Sequence, residues 1–127
     1  MINALRKRLA KEQGFTLIEL LVVIIILGIL TAIAIPSYLS FKDRANSSAA
    51  KANVRSIIPS IEQYYADNNG YTGITLASLQ ASYDQALNVS DYTLNGGTGT
   101  TYCVSSTVGG KSWKKAGPAA PIAEGSC

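Results

Sequence analysis

The stretch KEQGFTLIELLVVIIILGILTAIAIPS, Lys11 to Ser37, decides how this chain is built. Glu19 is the only charged residue between Gln13 and Phe41, and Phe15 to Ile35 supplies 21 residues that are mostly Leu, Ile, Val, Ala or Phe. At a rise of about 1.5 Å per residue, such a run crosses a hydrocarbon layer of about 30 Å. A carboxylate near the middle of that layer costs roughly 2.5 to 3.5 kcal/mol on insertion scales, so Glu19 asks for a partner.

Working outward, the residues before the run are basic. Met1 to Gly14 carries Arg6, Lys7, Arg8 and Lys11 against Glu12, which accounts for the whole formal charge of +3. The remaining seven cations and seven anions balance, so net charge gives no argument for nucleic-acid binding. Histidine is absent and there are two cysteines, which excludes a His/Cys zinc site or a His-based triad within one chain. No cofactor, metal or enzymatic activity is expected. Two simpler readings of the apolar run are a secretory signal peptide and a plain anchor. A signal peptide has a shorter apolar region followed by small residues at a cleavage site, for which Thr31-Ala32-Ile33-Ala34 is only a weak approximation. A plain anchor offers no reason for Glu19.

Gly14-Phe15-Thr16-Leu17-Ile18-Glu19, behind a short basic leader and ahead of a long apolar helix with Gly28 and Pro36, closely resembles the processing and assembly signature of type IV pilins and pseudopilins. The resemblance is dense from Arg6 to Phe41 and extends beyond it only in general layout. It implies an α+β pilin-like fold. Residues 1–14 would be a cytoplasmic leader, 15–36 a transmembrane and filament-core helix, 37–69 an amphipathic helix, and 70–127 a loop and small sheet. It implies that a prepilin peptidase cuts after Gly14 and methylates the new amine of Phe15, and that Glu19 pairs with such an amine during assembly. Gly28 and Pro36 mark where helices of this family bend. The leader, longer than many in the family, would stay in the cytoplasm and send the C-terminus out. The implied partners are other pilin subunits, the peptidase, the membrane before assembly, and an inner-membrane platform with its assembly ATPase. After assembly the subunit would lie in a cell-surface pilus.

From Ser37 to Asn69 the apolar residues Val54, Ile57, Ile58, Ile61, Tyr64 and Tyr65 recur at three- and four-residue steps, which predicts one face packed on a sheet. Asn68-Asn69-Gly70 supplies the helix stop. Pro59 predicts a kink, because an interior proline removes a hydrogen bond at a cost of about 3 kcal/mol. Beyond Gly70 the pattern predicts a loop with one helical turn around Leu76 to Gln80. Strands are expected at Tyr92–Leu94, Thr100–Val108 and Ser112–Lys115, with a two-residue hairpin at Gly109-Gly110. About three antiparallel strands lying on the helix make the economical head.

In an exported protein, Cys103 and Cys127 are expected to form a disulfide worth about 3 to 4 kcal/mol, as in many pilins, pinning the Gly/Pro/Ala-rich tail. Asp84 and Asp91 lack the regular spacing of a calcium loop. Lys111, Trp113, Lys114 and Lys115 form the only basic-aromatic cluster of the body. They read either as a contact for DNA or another anionic surface, or, as we favour, as lysines protecting an exposed sheet edge. Asn46-Ser47-Ser48 and Asn88-Val89-Ser90 match a glycosylation pattern too short to predict a site. Three functions follow: a pilin that polymerises for adhesion, motility or DNA uptake; a pseudopilin of a secretion or competence system; and a minor tip subunit that binds DNA or a receptor.

Overall fold

The computed structural model describes residues 2–9 and 14–127. Met1 and residues 10–13, with Lys11 and Glu12 of the expected leader, lie outside the described residues. The elements run α1 (Ile2–Leu9), α2 (Leu17–Asn68), α3 (Leu76–Ser82), a 3-10 turn (Val89–Asp91), β1 (Tyr92–Asn95), β2 (Tyr102–Val108), β3 (Lys111–Gly117) and β4 (Ala123–Glu124). Contacts group the chain into two units, Met1–Leu39 and Ser40–Cys127.

In the first unit, every residue from 14 to 39 is exposed. Helix is the state that satisfies each backbone group within the segment, as an apolar surrounding requires. The hydroxyls in the run follow the same logic. Thr31 Oγ1 donates to the carbonyls of Leu27 and Gly28 at 2.9 and 3.0 Å, and Ser37 Oγ to that of Ile33 at 3.2 Å.

In the second unit α2 changes character. Ala50, Val54, Ile57, Ser60 and Ile61 form a buried stripe at helical spacing. Of the expected face, Val54, Ile57 and Ile61 are fully buried, Ile58 and Tyr64 lie at the margin, and Tyr65 is exposed. Helical assignment runs unbroken through Pro36 and Pro59. Pro59 is exposed, and the carbonyl its missing amide would have engaged belongs to Arg55, also exposed. The helix ends as its sequence indicates. Asn69, at φ 54°, takes the left-handed conformation and donates its amide to the Tyr65 carbonyl at 2.7 Å.

The stripe packs on Tyr71, Ile74, Leu79, Leu87, Tyr102 and Val104 to make the core. The expected single turn near Leu76 is the longer α3, started by a reciprocal cap between Thr75 and Ser78, and it contributes Leu79. The sheet is an antiparallel meander in the order β1-β2-β3-β4. Gly109 and Gly110, at φ 54° and 80°, form the two-residue turn that pairs Val108 with Lys111. The sheet has four strands where about three were expected, because Ala123 and Glu124 of the tail pair with Lys114 and Trp113. Strand β2 begins later than expected. Thr98 takes up the preceding residues, its Oγ1 accepting the Thr101 amide at 3.1 Å and its own amide donating to the Thr101 carbonyl at 2.8 Å.

Candidate functional site

Gly14, Phe15 and Thr16 precede the first turn of α2 in non-helical conformation, and Phe15 is 91% exposed. A Cβ at Gly14 would meet nothing within 4 Å, so packing among the described residues does not demand glycine there. The Gly14–Phe15 bond is therefore open and unprotected by helix, the condition under which a chain can lie extended in a protease cleft.

Glu19 sits at the third position of the helix. Its Oε2 accepts the Thr16 amide at 3.0 Å, while its own amide donates to Thr16 Oγ1 at 3.3 Å. This is a capping box: two donors of the first turn are satisfied reciprocally, and the acid lies where the helix dipole favours negative charge. The partner that Glu19 asks for thus exists within its own chain. A plain anchor gains a reason for the acid as well, so Glu19 alone does not separate the readings. The signal for the cap was present in the sequence, since Thr16-x-x-Glu19 before an apolar run is its pattern.

Gly28 and Pro36 lie exposed on the same segment, and a Cβ at Gly28 would also meet open space. Leu17–Asn68 contains the one helix among the described residues that is long and apolar enough to cross a membrane.

The remaining expected site residues fall in the second unit. Cys103 and Cys127 form a disulfide, with Cα atoms 5.8 Å apart. The basic-aromatic cluster is divided among internal contacts. Trp113 Nε1 donates to Ser47 Oγ at 2.8 Å on α2, and the Lys51 ammonium stands 4.9 Å from the Trp113 ring centre. Lys115 donates to the carbonyls of Pro118 and Ala120, and Lys111 lies 3.9 Å from Asp43. Edge protection is not their role along the whole strand: β3 has β2 on one side and β4 on the other at Trp113 and Lys114. No group of three or more metal-ligating side chains occurs among the described residues.

Tyr71, from the expected loop, and Tyr102, from an expected strand, form a cluster that fixes α2 to the sheet. The Tyr71 hydroxyl donates to both carboxylate oxygens of Glu62, at 3.0 and 3.1 Å, and the Tyr71 and Tyr102 rings stand 4.8 Å apart. Burial first, then the Glu62 hydrogen bond and charge, push the Tyr71 phenol up to about 12. Burial also raises the Tyr102 phenol, whose hydroxyl has no partner among the described residues. A Cβ at Gly97 would overlap Tyr71, which explains a glycine where the chain passes this cluster.

The family described as Prokaryotic N-terminal methylation motif matches residues 9–35. The type IV wide pilus major component PilA4 of Thermus thermophilus is 34% identical over 84% of this chain and 82% of its own length. The type IV narrow pilus major component PilA5 of the same organism is 40% identical over 63% of this chain and 78% of its own. The type II secretion system core protein G of Pseudomonas aeruginosa is 41% identical over 48% of this chain, and the chain spans only 43% of that relative. Similarity to the wide pilus component runs over 107 residues and so passes beyond α2 into the sheet domain, and the chain therefore belongs to the type IV pilin family, as a structural subunit carrying a prepilin motif.

Proposed function

We propose that this chain is made as a membrane-anchored precursor, is cut between Gly14 and Phe15 by a prepilin peptidase, is methylated at Phe15, and polymerises into a type IV pilus through its N-terminal helix. The observation that carries the reading is the exposed, non-helical Gly14–Phe15 bond placed directly before a 21-residue apolar run. Residues 1–14 stay in the cytoplasm, held by four cations, and the head folds outside, where its disulfide persists. Assembly moves residues 15–36 from lipid to a filament core, helped by an inner-membrane platform and its ATPase. Cleavage creates an amine at Phe15, four residues before Glu19. In low dielectric, an amine of this or a neighbouring subunit attracts that carboxylate far more strongly than in water, which gives an incoming subunit a charge to match. Gly28, where a Cβ would meet open space among the described residues, and the exposed Pro36 serve bending of the helix in the filament, and the exposed Pro59 serves bending of the amphipathic half.

Similarity over 84% of the chain to a pilus major component favours a pilus subunit over a secretion pseudopilin, for which the matched share is 48%. A DNA-binding tip role is the weakest of the three, because Trp113 and Lys115 already serve internal bonds. The test is mass spectrometry of the subunit from sheared surface fibres. The reading requires a chain that begins at Phe15 with one added methyl; a fibre subunit retaining residues 1–14 contradicts it.

A further inference from the structure

Helix α1, Ile2–Leu9, is the element that the processing reading leaves without a task. An isolated helix of eight residues is marginal in water, and two of its apolar residues stand uncovered among the described residues: Ile2 is 77% exposed and Leu5 64%. At about 100° per residue, positions 2 and 5 lie about 60° apart on the helix, and position 7 falls on the opposite side. Arg6 and Lys7 stand together in the turn that follows Leu5, and the sequence continues with Arg8 and Leu9. An apolar strip of a few residues bordered by cations is the pattern of a helix that lies in a membrane interface, with its strip among the acyl chains and its cations at lipid phosphates.

We infer that α1 is an interfacial helix that docks on an anionic phospholipid surface, the cytoplasmic leaflet of the membrane that holds the precursor. The occupant follows from charge and connection. Residues 1–14 carry four cations against one anion, and the apolar run begins at Phe15, so a chain anchored there cannot hold its leader far from the leaflet. Tethering makes docking intramolecular, and it proceeds at high effective concentration even where the free segment would bind weakly. Anionic headgroups attract each nearby cation, whereas a zwitterionic surface does not. Docking on both sides of the scissile bond, by α1 before it and the apolar run after it, would hold Gly14–Phe15 at a fixed height over the membrane. Cleavage separates the two anchors.

The inference rests on the anchored-precursor reading, and one experiment distinguishes the two. The full-length, uncleaved chain is placed in nanodiscs of phosphatidylcholine alone or with phosphatidylglycerol, and amide hydrogen exchange is read by mass spectrometry. Protection of residues 17–35 in both lipids reports the anchor. Amides of residues 2–9 are expected to exchange roughly tenfold more slowly with phosphatidylglycerol than without it. The double variant Ile2→Ser, Leu5→Ser should return them to the phosphatidylcholine rate, and so should Arg6→Gln, Lys7→Gln. Equal leader exchange in both lipids, with residues 17–35 protected, overturns this inference and leaves the anchor standing. Full protection of the leader after Ile2→Ser, Leu5→Ser overturns it too. Fast exchange across residues 17–35 would overturn the anchored reading and this inference with it.

Discussion

Helix α2 contains two regions of opposite habit. From residue 17 to 39 it is apolar on all sides and exposed on all sides; from Ser40 to Asn68 it is apolar along one stripe, and that stripe is buried. The difference is one of where the partner comes from. Val54, Ile57 and Ile61 find theirs in Tyr71, Leu79, Tyr102 and Val104 of the same chain. Leu20 to Ile35 have none among the described residues and expose far more contiguous apolar surface than a soluble monomer tolerates. One helix thus joins a head with its own core to a segment whose apolar side chains stay exposed.

The sharpest way to break this division is to cut it. A fragment lacking residues 1–40 should be a soluble monomer with a cooperative thermal transition and no capacity to form fibres. A non-cooperative melt would show that the head depends on the missing segment, and ordered fibres would move the assembly surface to the sheet. The next largest effect concerns how the head holds its tail. Closing the 24-residue separation of Cys103 and Cys127 contributes about 3 to 4 kcal/mol in the chain-entropy model, so reduction should lower the fragment's denaturation midpoint accordingly. Strand β4, only two residues long, should lose amide protection first.

Smaller substitutions sharpen the contrast within the helix. Ile57→Val should destabilise the head by about 0.5 to 1.5 kcal/mol in urea unfolding, whereas Ile25→Val should leave head stability unchanged in the full chain in detergent. An equal effect of the two would mean that the regions are not energetically separate. The smallest effect is on pH dependence. Tyr71 has its phenol raised in the folded state from 10.0 to about 12, so the unfolded chain loses this proton first as pH rises. The stabilisation is complete below about pH 10 and is lost between there and about pH 12. Tyr71→Phe should make that part of the stability profile shallower, leaving the part that the buried Tyr102 phenol contributes. Glu62→Gln should shrink it only partly, since burial is the largest cause.

The sequence made these two regions legible to different degrees. Periodicity located the buried stripe at Val54, Ile57 and Ile61, and Gly109-Gly110 located the β2–β3 turn, because each feature is set by neighbours in sequence. Strand β4 was invisible: two residues in a Gly/Pro/Ala-rich tail carry no period, and they become a strand only beside β3. Lys111 to Lys115 read as an exposed edge for the same reason, since it is β4 that makes β3 internal at Trp113 and Lys114. At the processing segment, Gly14, Phe15 and Glu19 were legible as a motif. The Thr16–Glu19 cap is carried by the same few residues, but its role appears only at the helix end, where the acid meets the Thr16 amide rather than lipid.

That cap supplies the most direct test of the central claim, which is that the charge of Glu19 is used in assembly. Glutamine can replace glutamate in a capping box, so Glu19→Gln preserves the helix start while removing the charge. The measurement is the number of surface fibres per cell, by electron microscopy, at matched levels of cleaved subunit. The account predicts that Glu19→Gln is cleaved normally but assembles few or no fibres, while Thr16→Val, which weakens the cap and keeps the charge, still assembles them. Wild-type fibre numbers from Glu19→Gln would contradict the account and reduce Glu19 to the capping residue of an apolar helix.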